Sequence, residues 1–487
     1  MIVMKFGGTS VGGAEQIAQV AGVVERFRAG SLHYPSPADD GQVSEEMRQA
    51  TVVVSAMSGV TDALISAARS AGRRDGVAFR TVANELRRRH RSCGEALVAN
   101  AGRRAALLWE IDTLINDFEN LCQAIFVLGE LTARGLDAVA SFGERLSARL
   151  VAAALQERGV PSQAVEATNL IVTDEKHGVA APLMEETCRR SREMLLPLMS
   201  EGVTPIVTGF VGATEAGATT TLGRGGSDFS AAILGSCLGS PEIWIWTDVD
   251  GVQTADPRVV PDARTLPEIS YGEAAELSYF GAKVLHPKTI VPAVEKSVPL
   301  RVLNTFNPDH PGTLVVAEEK PSTHAVKGVT SIKGLSLLTV EGRGMIGVPG
   351  MAARLFAAVA SEEISVLMIS QSSSEQTICF LIRRDEAPRG LSALEDAFEL
   401  ELARRNVDRI SAQGDVAIIA VVGAGLKETP GVGAKVFGAL GVRGINVISV
   451  AQGSSKYNLS LVVSEGEADD AVRAIHEELD LGALGDG

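Results

Sequence analysis

The sequence predicts an α/β protein, a sandwich on a mostly parallel sheet, followed by a duplicated α+β region. The first two-thirds of the 487 residues alternate short β-branched runs, such as 3–6 and 204–208, with long Ala-, Leu- and Arg-rich helical patterns, such as 144–157. Strands that alternate with helices pair in parallel, because each crossover helix covers the sheet. The last third lacks this alternation and contains an internal repeat instead.

The repeat keeps one offset of 81 residues. Residues 350–356 (GMAARLF) align with 431–437 (GVGAKVF), and 364–366 (ISV) align with 445–447 (INV). Two unrelated segments would not keep one offset through so many positions, so the sequence predicts a duplication. Each copy has the pattern strand, helix, strand, strand, helix.

Composition and charge exclude several function classes. Aromatic residues make up only 4% of the chain and the formal net charge is -15, which argues against a nucleic-acid partner. A site for an anionic substrate would therefore need its own Lys, Arg and backbone N–H groups. No apolar run approaches the ~20 residues needed to span a bilayer, and no signal peptide is evident. We expect a soluble cytoplasmic protein with no nucleic-acid or membrane partner.

The cysteines carry no pairing pattern. Cys93, Cys122, Cys188, Cys237 and Cys379 are scattered, without a C-x-x-C pair, and their number is odd. This distribution is typical of reduced thiols in the core of an intracellular protein.

The first motif is Lys5-Phe6-Gly7-Gly8, where the first strand ends and a helix begins. Glycines allow backbone N–H groups to approach a phosphate, and a helix N-terminus favours negative charge. Lys5 would then point at the phosphate. The motif is not a Walker A loop, because Gly13 replaces the required Lys. A plain strand–helix turn with a solvated Lys is the alternative.

A second motif, Gly223-Arg224-Gly225-Gly226-Ser227-Asp228, opens an apolar helix. Glycine-rich backbone beside an Arg suits a carboxylate or phosphate, because the guanidinium forks onto paired oxygens. A structural alternative is that Ser227 or Asp228 is merely the helix N-cap.

Taken together, the motifs resemble those of the aspartokinases. The two motifs above occur in the family's order with 55–61 (SAMSGVT), 142–145 (FGER), 247–249 (TDV) and 281–287 (GAKVLHP). The resemblance covers nearly the whole chain and implies a monofunctional member of the family, most similar to the threonine-responsive branch related to the kinase half of aspartokinase–homoserine dehydrogenases. It implies an amino-acid-kinase αβα sandwich over 1–318 and two ferredoxin-like ACT domains over 335–411 and 415–481. An interleaved arrangement, with a strand from 324–334 in the second ACT domain, is left open.

The resemblance also implies residue roles. Lys5 and Asp228 would be catalytic. The substrate amino acid would be held by Ser55, Thr61, Glu144, Arg224, Gly225, Gly226 and Ser227. ATP would be bound by Lys5, Phe6, Gly7, Gly8, Thr247, Asp248, Gln253, Arg258, Lys283 and Val284. Gln253 departs from the family pattern, because many relatives have Tyr there. Mg²⁺ would enter with ATP, and no dedicated protein ligand for a metal is expected.

The implied activity is aspartate kinase, the ATP-dependent phosphorylation of the L-aspartate side chain to 4-phospho-L-aspartate. This is the first step towards lysine and diaminopimelate, threonine and methionine. Gln371 and Gln452 hold equivalent places in the two copies and would bind an amino-acid effector. Their surroundings are most similar to the threonine-responsive branch, which includes the kinase halves of aspartokinase–homoserine dehydrogenases. Threonine is the first expectation and lysine the second. ACT domains imply a homodimer or higher homo-oligomer.

Three alternatives compete with this interpretation. Gly342, Gly344, Gly347 and Glu362 match a dinucleotide fingerprint, but the second copy has Glu428 at the third glycine. Because the sequence ends at Gly487, no homoserine dehydrogenase domain is expected. A catalytically silent amino-acid sensor is disfavoured by the complete set of charged motif residues. A kinase for glutamate or acetylglutamate is disfavoured by the Glu144 motif and the ACT pair.

Overall fold

The computed structural model describes residues 1–34, 48–281, 285, 287–317, 324–452 and 457–483. The chain divides into two compact units. The first unit consists of Met1–Val252, Pro267–Tyr271 and Lys283–Glu319. The second unit consists of Gln253–Leu266, Gly272–Ala282 and Lys320–Gly487.

The described part of the first unit contains eleven strands, and eight of them form one large sheet. In chain order the strands are β1 Ile2–Phe6, β2 Ala50–Val54, β3 Ser162–Val165, β4 Val172–Thr173, β5 Thr204–Thr208, β6 Val211–Thr214, β7 Thr219–Thr221, β8 Ile243–Thr247, β9 Glu268–Ser270, β10 Leu300–Asn304 and β11 Thr313–Val316. The large sheet has the order β3-β5-β2-β1-β8-β10-β11-β9, and β4, β6 and β7 form a small separate sheet. Every pairing in the large sheet is parallel except that of β10 with β11. The mostly parallel sheet predicted from the sequence is confirmed.

Helices cover this sheet. Those of the first unit are α1 Ala14–Arg28, α2 Val60–Gly72, α3 Gly76–Leu97, α4 Ala101–Leu128, α5 Ala133–Ala140, α6 Phe142–Glu157, α7 Met184–Ser200, α8 Gly226–Leu238 and, later in the chain, α10 Val291–Glu295. Helix α9 Tyr271–Tyr279 belongs to the second unit except for its first residue. All five residues of β1 are buried, as expected for a strand covered on both faces. Met4 and Phe6 share one core with Ile17 of α1 and Leu150 of α6.

The second unit contains one sheet of six strands. Its strands are β12 Gly328–Glu341, β13 Met368–Gln371, β14 Thr377–Arg383, β15 Arg409–Val422, β16 Ser449–Ala451 and β17 Asn458–Ser464. Its remaining helices are α11 Met351–Ser361, α12 Ala387–Ala397, α13 Glu399–Ala403, α14 Val432–Val442 and α15 Ala468–Glu478. The order is β13-β14-β12-β15-β17-β16, and every pairing is antiparallel.

The duplication is confirmed in this sheet. The bounds of β15, α14, β17 and α15 repeat those of β12, α11, β14 and α12 after 81 residues at both ends. The dinucleotide alternative is wrong, because the glycine fingerprint follows β12 in an antiparallel sheet and not in a parallel strand–helix–strand unit. Within the described ranges, no helix is both long enough and apolar enough to cross a membrane.

One expectation about the cysteines is wrong. Cys188 on α7 and Cys237 on α8 form a disulfide, with their Cα atoms 4.6 Å apart. The sequence gives no sign of this pair, because the two residues meet only when the two helices pack together. Cys93 and Cys122 are free, and burial raises the pKa of Cys93 to about 11 and that of Cys122 to about 12. Both therefore remain protonated thiols at neutral pH.

The disulfide supplies a stability prediction. Replacing Cys188 with Ser should lower the free energy of unfolding by up to about 4 kcal/mol in the oxidised protein, because the bond restricts the unfolded chain. Its two cysteines are 49 residues apart. Urea unfolding monitored by circular dichroism measures the difference. With dithiothreitol present, wild type and variant should unfold at the same urea concentration, and a difference that persists there would contradict the explanation.

Candidate active site

A cavity of about 560 Å³ opens in the first unit at the carboxyl ends of β1 and β2. Ligand sites of open parallel sheets form at this edge. The structure brings Lys5, Gly8 and Asp228 into its wall together with all the residues expected to hold the substrate: Ser55, Thr61, Glu144, Arg224, Gly225, Gly226 and Ser227.

Lys5 and Asp228 form an ion pair across the cavity. The distance from Lys5 Nζ to Asp228 Oδ1 is 2.6 Å, and the two side chains are 11% and 15% exposed. Lys5 lies at the end of β1, and Asp228 lies in the first turn of α8. Water therefore screens this pair only in part, and the ammonium remains positioned to meet an incoming phosphate.

Helix α8 begins without a side-chain cap. Its N-cap is Gly225, whose φ of 71° is left-handed, and no side chain accepts a hydrogen bond there. The N-cap alternative for Ser227 and Asp228 is therefore wrong. Gly225, Gly226 and Ser227 line the cavity, and the Gly226 N–H donates to the Gly223 carbonyl at 3.0 Å. The positive end of the helix dipole can still favour a bound anion there.

Glu144 supplies a buried carboxyl group in the first turn of α6. Gly143 makes this position possible, because a Cβ there would lie 2.6 Å from the Cβ of Ala56. The carboxyl accepts a backbone hydrogen bond from Ala56, while Oε2 has no partner among the described residues. Burial raises the pKa of Glu144 to about 8. An ammonium group entering the cavity would restore its negative charge.

Arg224 is the exposed cation of the site. Within the described ranges it forms no hydrogen bond or ion pair, and it follows the left-handed Gly223. Ser55 lies directly after β2, and its N–H donates to the carbonyl of Phe6 at 3.1 Å. Thr61 lies in the first turn of α2. The cavity thus offers a guanidinium, a carboxyl and two hydroxyls, which suits a small amino acid.

The residues expected to bind the phosphates of ATP meet where β1 and β8 pair. The Gly7 N–H donates to the carbonyl of Trp246 at 3.2 Å, whereas that of Gly8 has no acceptor among the described residues. The ring of Phe6 is fully buried and stacks on Trp246 with the centroids 5.6 Å apart. Its side chain therefore belongs to the core, so any contribution of Phe6 to ATP binding would have to come from its backbone.

Thr247 and Asp248 lie at the carboxyl end of β8, with Thr247 Oγ1 donating to Asp248 Oδ1 at 3.1 Å. Gln253 and Arg258 belong to the second unit, where Gln253 forms a single bridge with Thr265. Arg258 pairs with Asp256 at 2.6 Å, and this contact lowers the pKa of Asp256. Lys283 and Val284 lie outside the described residues.

Sequence reasoning missed Asp137 in the cavity wall. Its carboxylate on α5 is 4% exposed and accepts hydrogen bonds from His177, Gly178 and Thr221. The one available signal was a charged residue in the apolar helical segment 135–142. An Asp is seldom buried unless it is paired, so an Asp at this position indicates a hydrogen-bonded carboxylate.

The second unit has its own cleft of about 310 Å³, lined by Gln371, Glu375 and the 345–352 segment before and at the start of α11. Glu375 Oε2 accepts a hydrogen bond from the Gly347 N–H at 2.9 Å. Gln452 is exposed directly after β16 and is not among the residues lining this cleft. No group of three His, Cys, Asp or Glu side chains that could hold a metal occurs in the described parts of the chain.

Comparisons with known proteins agree with this geometry. A model of the amino acid kinase family matches residues 1–304, and an ACT domain model matches 338–398 and 419–479. The chain is 37% identical over 484 residues to bifunctional aspartokinase/homoserine dehydrogenase 1, chloroplastic, of Zea mays, which covers 98% of this chain and 50% of the relative. It thus spans about half the length of such bifunctional relatives. It is 32% identical over 479 residues to aspartokinase 3, chloroplastic, of Arabidopsis thaliana, with 97% of this chain and 80% of the relative covered.

Solved structures are similar over the whole length. Aspartokinase III of E. coli in complex with aspartate and ADP, in the R-state, superposes with a TM-score of 0.77 at 29% identity, covering 99% of this chain and 100% of that chain. The same enzyme with lysine and aspartate, in the T-state, also gives 0.77, at 30% identity and with 98% and 99% covered. The resemblance inferred from the motifs is confirmed, and the chain belongs to the aspartokinase family of amino acid kinases.

Proposed function

We propose that this protein is an aspartate kinase, which transfers the γ-phosphoryl group of ATP to the side-chain carboxylate of L-aspartate. The product is 4-phospho-L-aspartate, the precursor of lysine and diaminopimelate, threonine and methionine. The observation that carries the proposal is one cavity that contains the Lys5–Asp228 pair, the Glu144 carboxyl and the unpaired Arg224. The E. coli relative with this fold was solved with aspartate and ADP.

Each charged group of aspartate has a counterpart in the cavity. Arg224 suits the α-carboxylate, because a guanidinium donates two parallel hydrogen bonds to paired oxygens. Glu144 suits the α-ammonium, which would satisfy the unpartnered Oε2. Ser55 and Thr61 offer hydroxyls to the remaining oxygens, and Gly225, Gly226 and Ser227 offer the positive end of α8.

The chemistry needs charge neutralisation more than it needs a base. The aspartate side chain is already a carboxylate nucleophile at neutral pH, so no proton has to be removed from it. Lys5 would stabilise the charge of the transferred phosphoryl group, and the Gly8 N–H would add a donor. Asp228 holds the Lys5 ammonium in place until the phosphate arrives.

The nucleotide would extend from this cavity along the carboxyl end of β8. We assign Thr247 and Asp248 to it, with the backbone of Phe6 and Gly7 beside the phosphates. The roles of Gln253, Arg258, Lys283 and Val284 in ATP binding rest on the family motifs alone. Mg²⁺ would arrive with ATP and keep several waters, with the phosphates as its main ligands. A cellular ATP pool is required, and we place the protein in the cytoplasm.

The second unit would be a sensor of an amino acid. We retain the domain bounds 1–318, 335–411 and 415–481, with 324–334 contributing a strand to the last. The pairing of 328–332 with 418–422 supports that contribution. A homodimer or higher homo-oligomer formed through the ACT domains is part of the same proposal.

The test of the catalytic proposal is release of ADP with Mg·ATP and aspartate, glutamate or no acceptor. We expect turnover with aspartate and less than a tenth of that rate with glutamate, because the extra methylene moves the reacting carboxylate. Hydroxylamine trapping of the acyl phosphate identifies the product. A folded, ATP-binding protein that releases no ADP in response to aspartate would overturn the proposal and favour a silent sensor.

The effector prediction is tested in the same assay. We expect threonine to inhibit, and Gln371→Ala to raise its half-inhibitory concentration about tenfold by removing one hydrogen-bonding group in the cleft. Gln452→Ala is the matched variant in the second copy. Lysine is the second candidate, since its ammonium could pair with Glu375. If lysine inhibits the enzyme and Glu375→Gln abolishes that inhibition, the effector is lysine and not threonine.

A further inference from the structure

The carboxylate of Asp137 joins three elements at the wall of the aspartate cavity. Oδ1 accepts a hydrogen bond from Thr221 Oγ1 at 2.6 Å. Oδ2 accepts from His177 Nδ1 at 2.8 Å and from the Gly178 N–H at 3.0 Å. Because a carboxylate only accepts hydrogen bonds, His177 carries its proton on Nδ1 here.

The groups that Asp137 holds lead directly to Arg224. Thr221 is the last residue of β7, and Arg224 follows three residues later. Gly178 packs against the same turn, since a Cβ on Gly223 would lie 3.2 Å from the Gly178 carbonyl oxygen. The Ala180 N–H also donates to the Thr221 carbonyl at 3.0 Å. The turn that carries Arg224 is thus clamped on one side by residues 177–180.

Arg224 itself makes no hydrogen bond or ion pair with the described part of the protein. Its long side chain is exposed and follows a left-handed glycine. Its reach towards a substrate carboxylate therefore depends on where the backbone of the turn lies. A displacement of about 1 Å is enough to weaken a two-point guanidinium–carboxylate contact severely.

We propose that Asp137, acting through Thr221, His177 and Gly178, is the positioning residue that fixes Arg224 for the α-carboxylate of the substrate. The inference rests on the proposed aspartate kinase activity and extends it. In the proposed function Asp137 is not assigned to the transferred phosphoryl group or to ATP. Its loss should affect the recognition of aspartate and leave the chemical step nearly intact.

The test is steady-state kinetics of the full chain. Asp137→Asn offers only one oxygen acceptor and leaves a buried donor unpaired, so the aspartate KM should rise about 10- to 100-fold. The ATP KM and kcat at saturating aspartate should change less than threefold. Thr221→Val should act in the same direction, while Thr221→Ser, which keeps the hydroxyl, should restore most of the affinity. Asp112→Asn, in an ion pair with Arg91, is the matched control.

A double-mutant cycle decides whether Asp137 acts through Arg224. In an Arg224→Ala background, Asp137→Asn should raise the aspartate KM less than threefold further. A full additional effect would overturn the inference, as would a parallel loss of kcat, ATP affinity and melting temperature in the single variant. If the wild-type protein shows no aspartate-dependent turnover, the proposed function is wrong, and this inference is overturned with it. If the wild type is active and Asp137→Asn has the same aspartate KM, only this inference is overturned.

Discussion

Lys5→Met should reduce kcat by about 10³-fold or more, because one preorganised donor on a developing charge contributes that order of rate. The ammonium is held 2.6 Å from Asp228 and is only 11% exposed. Without it, Asp228 faces the ATP phosphates as an uncompensated negative charge. The aspartate KM should change little, since we assign the α-carboxylate and α-ammonium of aspartate to Arg224 and Glu144. ADP release under saturating substrates measures the loss.

The control is Lys333→Met, which removes a Lys paired with Asp469 at 2.7 Å in the second unit and should leave kcat unchanged. Circular dichroism should show that both variants remain folded. If Lys5→Met keeps more than a tenth of the wild-type kcat, Lys5 is not the residue that stabilises the phosphoryl group.

Glu144→Gln should raise the aspartate KM by about 100-fold or more, because a buried charge partner of the substrate ammonium is lost. In the wild type the aspartate KM should fall as the pH rises from 6 to 8, by up to about tenfold per pH unit. The reason is that burial raises the pKa of Glu144 to about 8, whereas the bound ammonium requires the ionised form. The variant should lose this pH dependence.

The same carboxyl should change the pH dependence of stability. Its pKa rises from an ordinary 4.5 to about 8 on folding, so the folded protein binds more protons than the unfolded chain between those values. Its contribution to stability is therefore complete below about 4.5 and is lost as the pH rises towards 8. Glu144→Gln should melt at a higher temperature than the wild type at pH 8 without aspartate. Glu186→Gln on α7 is the control, and a wild type that melts higher at pH 8 would contradict the assignment.

The sequence was most informative where local chemistry determines position. The strand–helix turns at Lys5 and at Arg224 each carry their own strand, glycines and helix start. β7, which precedes Arg224, belongs to the small separate sheet, and the packing of α8 against β1 brings the two turns together. The 81-residue repeat predicted that the strands and helices of the second unit recur at a fixed offset, because both copies fold in the same way. The resemblance added Ser55, Thr61 and Glu144, which periodicity alone would not single out.

What could not be predicted depends on contacts between distant segments. Asp137 bonds to residues 40 and 84 positions away, and no local pattern announces such a network. The pairing of Cys188 with Cys237 likewise exists only because α7 packs on α8. The N-cap alternative is wrong because left-handed Gly225 begins α8 without a side-chain acceptor, and the Asp228 carboxylate pairs with Lys5 instead.

The two long strands of the second unit have a consequence for folding. β12 pairs with β15 through both of its halves, so residues 328–332 pair with 418–422 and residues 337–341 pair with 409–413. Each copy of the repeat therefore pairs with a strand segment from the other copy, and neither copy forms a complete sheet by itself. The pair must fold as one cooperative body, whose non-local strand pairing makes it slow to form. A gene fragment that ends between the copies would leave β12 without the partner that covers its edge, and such a fragment is expected to aggregate.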